Sequence, residues 1–166
     1  VPLPSVILRG YFAAASDYRE FEKSLVDRGF PTLTVPLSQR DWLPTFGGRW
    51  MVPILRKLDR TVKQMLQQYG SQQIDLVCHS AGGWISRIYL GEKPHTIHGD
   101  VLEDIGLSNP RSTVNTLISL GTQQVSVECW TRKNQIFSIA TTIRGFFTRR
   151  WATCALLLRL FLASAV

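Results

Sequence analysis

Histidine is scarce in this chain and stops early. There are three, His79, His95 and His98, and no aspartate follows Asp104. Residues 123–166 contain neither residue type and only one acid, Glu128. That stretch therefore supplies no aspartate–histidine pair for moving a proton. Cysteine is scarce too: Cys78, Cys129 and Cys154 form an odd set without metal-like spacing. This argues against a disulfide framework and against a zinc site, and the three read as buried or incidental thiols. Nowhere is there a convincing bilayer-spanning run, since residues 151–166 are short and interrupted by Arg159. Internal repeats and low-complexity linkers are also missing. Position 1 is valine and the chain runs straight into a strand-like pattern, so the sequence is expected to be a fragment whose targeting segment, if any, is out of view.

The formal net charge of +7 is spread unevenly. Residues 123–166 hold six of the nineteen Lys and Arg but one of the twelve Asp and Glu. The first three quarters are close to balanced. High basicity is thus a property of the tail, and no aromatic-basic sheet motif or recognition helix points to nucleic acid.

What is present is alternation. Short β-rich runs (Val6 to Leu8, Thr32 to Val35, Ile74 to Val77, Thr116 to Leu120) are separated by helical patterns. The first helix is expected to start at Ser16 as N-cap, with Tyr18, Phe21, Leu25 and Val26 on one face and Gly29 as its stop. Ser38 to Trp50 reads as loop. The second helix runs from Pro53 to Tyr69 with Ile54, Leu55, Leu58, Val62, Met65 and Leu66 inward, ended by Gly70. The third covers Gly82 to Leu90. Strand–helix alternation at these lengths predicts an open, doubly wound α/β sheet: three layers around a mostly parallel sheet.

Ligands in such sheets bind at the carboxyl edge of the strands, and "DLVCHSAGGWISRIYL" puts Ser80 there, between a strand and a helix. A nucleophile elbow needs small neighbours around its serine. Ala81, Gly82 and Gly83 provide them, and Cys78 stands where G-x-S-x-G has its first glycine. The adjoining helix N-terminus favours an oxyanion, with the Ala81 N–H as one donor. A second donor is expected after the first strand, in "RGYF": Tyr11 by position, with Phe12 next. His79 should point into the sheet region, away from Ser80, in a structural role. His95 and His98 begin at the wrong edge, because the helix before them carries the chain roughly 14 Å from the elbow. A makeshift dyad oriented by Asp100, Glu103 or Asp104 competes there with a solvated loop.

Taken together, "VILRGYFAAASDY", "DLVCHSAGGWISRIYL" and "LISLGT" resemble the α/β-hydrolase fold. The likeness is to the lipase- and esterase-like branch of plants and cyanobacteria that is similar to GPI inositol-deacylases, and it covers about residues 4–122. It implies a partial α/β-hydrolase fold and a serine nucleophile, Ser80, acting on an ester or lipid-like small molecule. No cofactor or metal is called for, and a plastid is one candidate compartment. An acid and a histidine further along the chain are also implied. After Thr122, however, the family's usual "GTPH" is "GTQQ" here, with Gln123 and Gln124. Two accounts of 123–166 stand side by side: a basic, apolar membrane-surface segment with Phe146-Phe147 and Arg149-Arg150, or a divergent, non-homologous carboxyl terminus. The expected division is 1–122 as the hydrolase part and 123–166 as a tail in which the strand–helix alternation does not continue. Residues 151–166 could fold as a helix over the sheet edge left open.

Overall fold

The computed structural model describes residues 2–11, 13, 15–48, 51–91, 107, 110–121 and 136–139. Several residues singled out above lie outside these: Phe12, Trp50, His95, His98, Asp100, Glu103, Asp104, Gln123, Gln124, Cys129, Cys154 and nearly all of the tail. So does the side chain of Phe46.

Among the described residues five strands form one sheet: β1 (Ser5–Leu8), β2 (Thr32–Thr34), β3 (Ile74–His79), β4 (Val114–Leu120) and β5 (Ile136–Ile139). Their order is β2-β1-β3-β4-β5 and every pairing is parallel. Parallel neighbours need crossovers, and helices packed on both faces of the sheet give the doubly wound, three-layer arrangement expected from the sequence. Successive strand residues face opposite layers. Leu76 and Cys78 join the core under α3 (Val52–Tyr69) and α4 (Ala81–Tyr89). Val77, Ile7, Ile118 and Leu120 pack with Tyr18, Phe21 and Leu25 of α1 (Ala15–Val26) on the other face.

α3 shows how its own residues make it. Pro53 occupies the first turn, and Gly70 ends the helix in the left-handed conformation at φ 59°. Ile54, Leu55, Leu58 and Val62 are fully buried, each worth about 1.5–3 kcal/mol relative to exposure. Asp59 on the same face is also buried, which the apolar periodicity does not reveal. Its partners include the Tyr89 hydroxyl at 3.0 Å and Lys63 at 2.8 Å.

Three local expectations are corrected. Ser16 lies inside α1, and its hydroxyl points to Asp17 at 3.4 Å instead of capping the helix. Val26 is half exposed, not part of the buried face. The stretch read as loop contains α2 (Gln39–Trp42) followed by a 3-10 helix, Leu43–Gly48. The Asp41 carboxylate accepts the Ser38 N–H and hydroxyl and pairs with Lys57 at 2.8 Å, pinning this segment to α3. Trp42 is thereby driven fully into the core.

Within the stretch read as tail, one segment joins the sheet. Ile136–Ile139 pairs with β4, Leu117 opposite Ile136 through Leu120 opposite Ile139. An open central strand leaves a row of unpaired N–H and C=O groups, and the apolar tetrapeptide "IFSI" answers them. Among the described residues no helix is long and apolar enough to cross a membrane.

Packing is tightest where α4 meets β1. A Cβ on Gly82 would lie 2.4 Å from the Leu8 carbonyl oxygen and 2.8 Å from that of Arg9. Both are backbone atoms that cannot swing aside. Gly82→Ala is therefore expected to lower stability by about 1–3 kcal/mol, as overpacking does, read as a lower urea midpoint at unchanged slope.

Candidate active site

The carboxyl edge of β3 runs straight into α4, and the chain reverses at Ser80. Its backbone sits at φ 51°, ψ −122°, the sole positive φ at a non-glycine among the described residues. Such a conformation costs of order 1–3 kcal/mol and persists only where the surroundings over-determine it. They do so here. The Ser80 N–H donates to the Leu120 carbonyl of β4 at 2.9 Å, and the Ser80 carbonyl accepts from the Gly83 N–H at 3.1 Å.

Gly10 closes the turn from the other side. A Cβ there would meet Ser80 Cβ at 2.9 Å, the His79 carbonyl oxygen at 3.1 Å and Ser80 Oγ at 3.4 Å. The loop after β1 and the turn after β3 are thus in contact through a residue that has to be glycine. This places Tyr11 one residue from that contact and Ala81 at the first position of α4. The Tyr11 ring turns toward Trp42, with ring centroids 4.6 Å apart, and is 37 % exposed. Trp42 itself is fully buried and belongs to the core.

Cys78 fits the elbow for a reason visible in its neighbours. Its thiol is completely buried and lies 2.7 Å from the Ser86 hydroxyl, which donates in turn to the Gly82 carbonyl at 2.8 Å. With the Ser86 proton committed, the thiol is the donor. Burial pushes its pKa up to about 12, which keeps it protonated.

His79 points to the α1 side of the sheet. Its Nδ1 is 2.6 Å from the Tyr18 hydroxyl, and Nε2 packs beside Gly121. Burial lowers the imidazole pKa and so favours the neutral ring. The same phenol accepts the Gly10 N–H, and burial raises its pKa to about 12. A phenol that accepts from Gly10 has its own proton left for Nδ1. Tyr18, apparent in the sequence only as a helix-face residue, thereby joins the loop after β1 to the residue before Ser80.

Arg9, between Leu8 and Gly10, is 3 % exposed. Burial is the main influence on its pKa and lowers it; Tyr18, Asp41 and Asp17 oppose that electrostatically. Its Nε has no hydrogen-bond partner. Nothing in the apolar pattern announces this burial, beyond the fact that a cation directly continues a buried strand.

No family model matches the chain, and no curated protein matches it either. Solved structures do resemble it. An acetylxylan esterase determined at 0.90 Å resolution is similar with a TM-score of 0.58 over 99 % of this chain and 98 % of that one, at 16 % identity. An iodinated complex of acetyl xylan esterase aligns with a TM-score of 0.47 at 21 % identity, over 74 % of this chain and 64 % of that one. An extracellular α/β-hydrolase from a Paenibacillus species aligns with a TM-score of 0.44 at 14 % identity, over 75 % of this chain and 43 % of that one. The chain thus spans less than two thirds of the length of these last two structures. At such identities the likeness is one of fold: the α/β architecture of this chain is shared with the esterase resolved at 0.90 Å.

Proposed function

We propose that this chain is a serine-hydrolase-like protein of the lipase and carboxylesterase type, acting on ester bonds, lipid acyl esters among them. Ser80 is the nucleophile in this reading. The observation that carries it is the positive-φ backbone of Ser80 at a strand-to-helix turn, held by Leu120 and pressed by Gly10. Strain of this kind at a partly buried strand end clusters at functional sites, where it presents a side chain. Attack by Ser80 Oγ on an ester carbonyl would throw negative charge onto the carbonyl oxygen. The Ala81 N–H, at the positive end of α4, and the Tyr11 N–H, beyond Gly10, are the donors assigned to it. Residues 1–122 carry this site. Assignment to the plant and cyanobacterial lipase- and esterase-like branch rests on the sequence resemblance alone.

A serine hydroxyl is a weak nucleophile without a base. His79 is turned toward Tyr18, and His95 and His98 lie outside the described residues. A second reading follows from a specific sequence observation, the lack of histidine and aspartate in 123–166. On it the chain is a catalytically incompetent form that binds a partner or a membrane surface through its basic tail.

The two readings separate experimentally. A fluorophosphonate probe is expected to label wild-type protein at Ser80, with no labelling of Ser80→Ala; an unlabelled wild type sinks the first reading. Tyr18→Phe deprives both the Gly10 N–H and His79 Nδ1 of their partner. It should cost about 1–3 kcal/mol in urea unfolding and slow probe labelling while leaving Ser80 as the modified residue. For the second reading, anionic liposomes should sediment the full chain and not a chain ending at Thr122. Equal binding by both overturns the tail's role.

A further inference from the structure

A buried cation without a hydrogen-bond acceptor is among the most unfavourable groups a fold can hold. Arg9 comes close to that condition. It is 3 % exposed, its Nε has no hydrogen-bond partner, and no ion pair joins it to a carboxylate among the described residues. Its electrostatic neighbours are Tyr18, Asp41 and Asp17, which set the side chain between α1 and α2 at the carboxyl edge of the sheet. None of them saturates it. Both oxygens of Asp41 lie 2.8 Å from Lys57, and one also holds the Ser38 N–H and hydroxyl. Asp17 accepts the Ser16 hydroxyl at 3.4 Å and lies within electrostatic range of Arg9 without pairing with it. These carboxylates reduce the cost of burying the charge but do not fill the guanidinium fork. A fork of this kind is shaped for a planar, two-oxygen acceptor.

The position matters as much as the vacancy. Arg9 directly precedes Gly10, whose Cα side rests on Ser80, and its own carbonyl abuts Gly82 in the first turn of α4. The backbone from which the guanidinium extends is therefore next to the Ser80 turn, at the strand edge where α/β sheets take their ligands. We propose that Arg9 is the seat for an anionic group, a carboxylate or phosphoryl oxyanion, carried by the molecule whose ester bond is presented to Ser80. This rests on the reading of Ser80 as nucleophile and names the substrate class of that site. With Nε buried and unpartnered, the acceptor it lacks arrives with the ligand, and a partly desolvated anion there is held more firmly than one at a surface lysine.

The test compares wild type with Arg9→Met in thermal unfolding, with succinate or inorganic phosphate added at fixed ionic strength and chloride as the reference salt. Wild type should gain about 2–4 °C at saturating anion, and Arg9→Met should gain nothing. Without anion, Arg9→Met should melt no lower than wild type, because an unpaired buried charge has been replaced by an apolar chain. A response to succinate alone identifies the group as a carboxylate, to phosphate alone as a phosphoryl group, and to both as oxyanion chemistry in general. In parallel, the ratio of kcat/KM for mono-p-nitrophenyl succinate to that for p-nitrophenyl acetate should fall about tenfold or more in the variant, the loss of roughly one charged hydrogen-bonded contact. No anion response in wild type, or equal responses in both chains, overturns the anion seat whether or not ester is cleaved. If neither ester is turned over, the hydrolase reading falls while the titration still decides on Arg9. Should Arg9→Met fail to fold, Arg9→Gln carries the same comparison.

Discussion

The carboxyl edge of this sheet depends on the backbone at Ser80. A residue with a side chain has been forced to φ 51°, and the neighbouring choices follow from keeping it there. The Leu120 carbonyl has to be at the end of β4 to receive the Ser80 N–H, so β4 must run in register with β3 to its last residue, His79 opposite Leu120. Gly10 and Gly82 have to lack side chains because the β1 end presses on the turn from two directions. Even Cys78, a departure from the glycine usual at its position, is accommodated because Ser86, one of the small residues of α4, leaves room and an acceptor for its thiol.

Around that turn the buried polar groups are mostly paired in chains. Cys78 to Ser86 to the Gly82 carbonyl is one; Gly10 to Tyr18 to His79 is another. Each fixes a backbone segment through a side chain reaching from another element, which is the more exact way to hold a loop. Arg9 departs from the pattern. Its Nε is left over, as are Trp42 Nε1, Ser5 Oγ and Thr34 Oγ1, but of these four only Arg9 carries a charge.

How much of this the sequence carried depends on the range of the interaction. Strands and long helices are legible because apolar spacing acts locally: Ile54, Leu55, Leu58 and Val62 declare the inner face of α3 by themselves, and Gly70 its end. The seat of Ser80 is legible because small residues cluster in sequence around it. α2 is not legible, since four residues have no periodicity and their order comes from Asp41 meeting Lys57 on another helix. Asp59, Tyr18 and Arg9 escape notice for the same reason: their partners, or the lack of them, are set by elements far away in the chain. The pairing of Ile136–Ile139 with β4 depends likewise on an edge that exists only once the sheet is built.

The register of β1 has a kinetic corollary. Ser5 lies beside Asp75 and Leu8 beside Cys78, while β3 in turn waits for β4 to bring Leu120 to Ser80. Closing loops of that length precedes any reward from the contacts they allow, which makes such parallel pairings slow to form. The pentapeptide around Ser80 has no reason to adopt its strained shape by itself, because the hydrogen bond and the crowding that impose it come from β4 and β1. The strained turn therefore exists only with β1 and β4 in place, and a chain caught short of the full sheet would hold the serine in an ordinary, relaxed backbone.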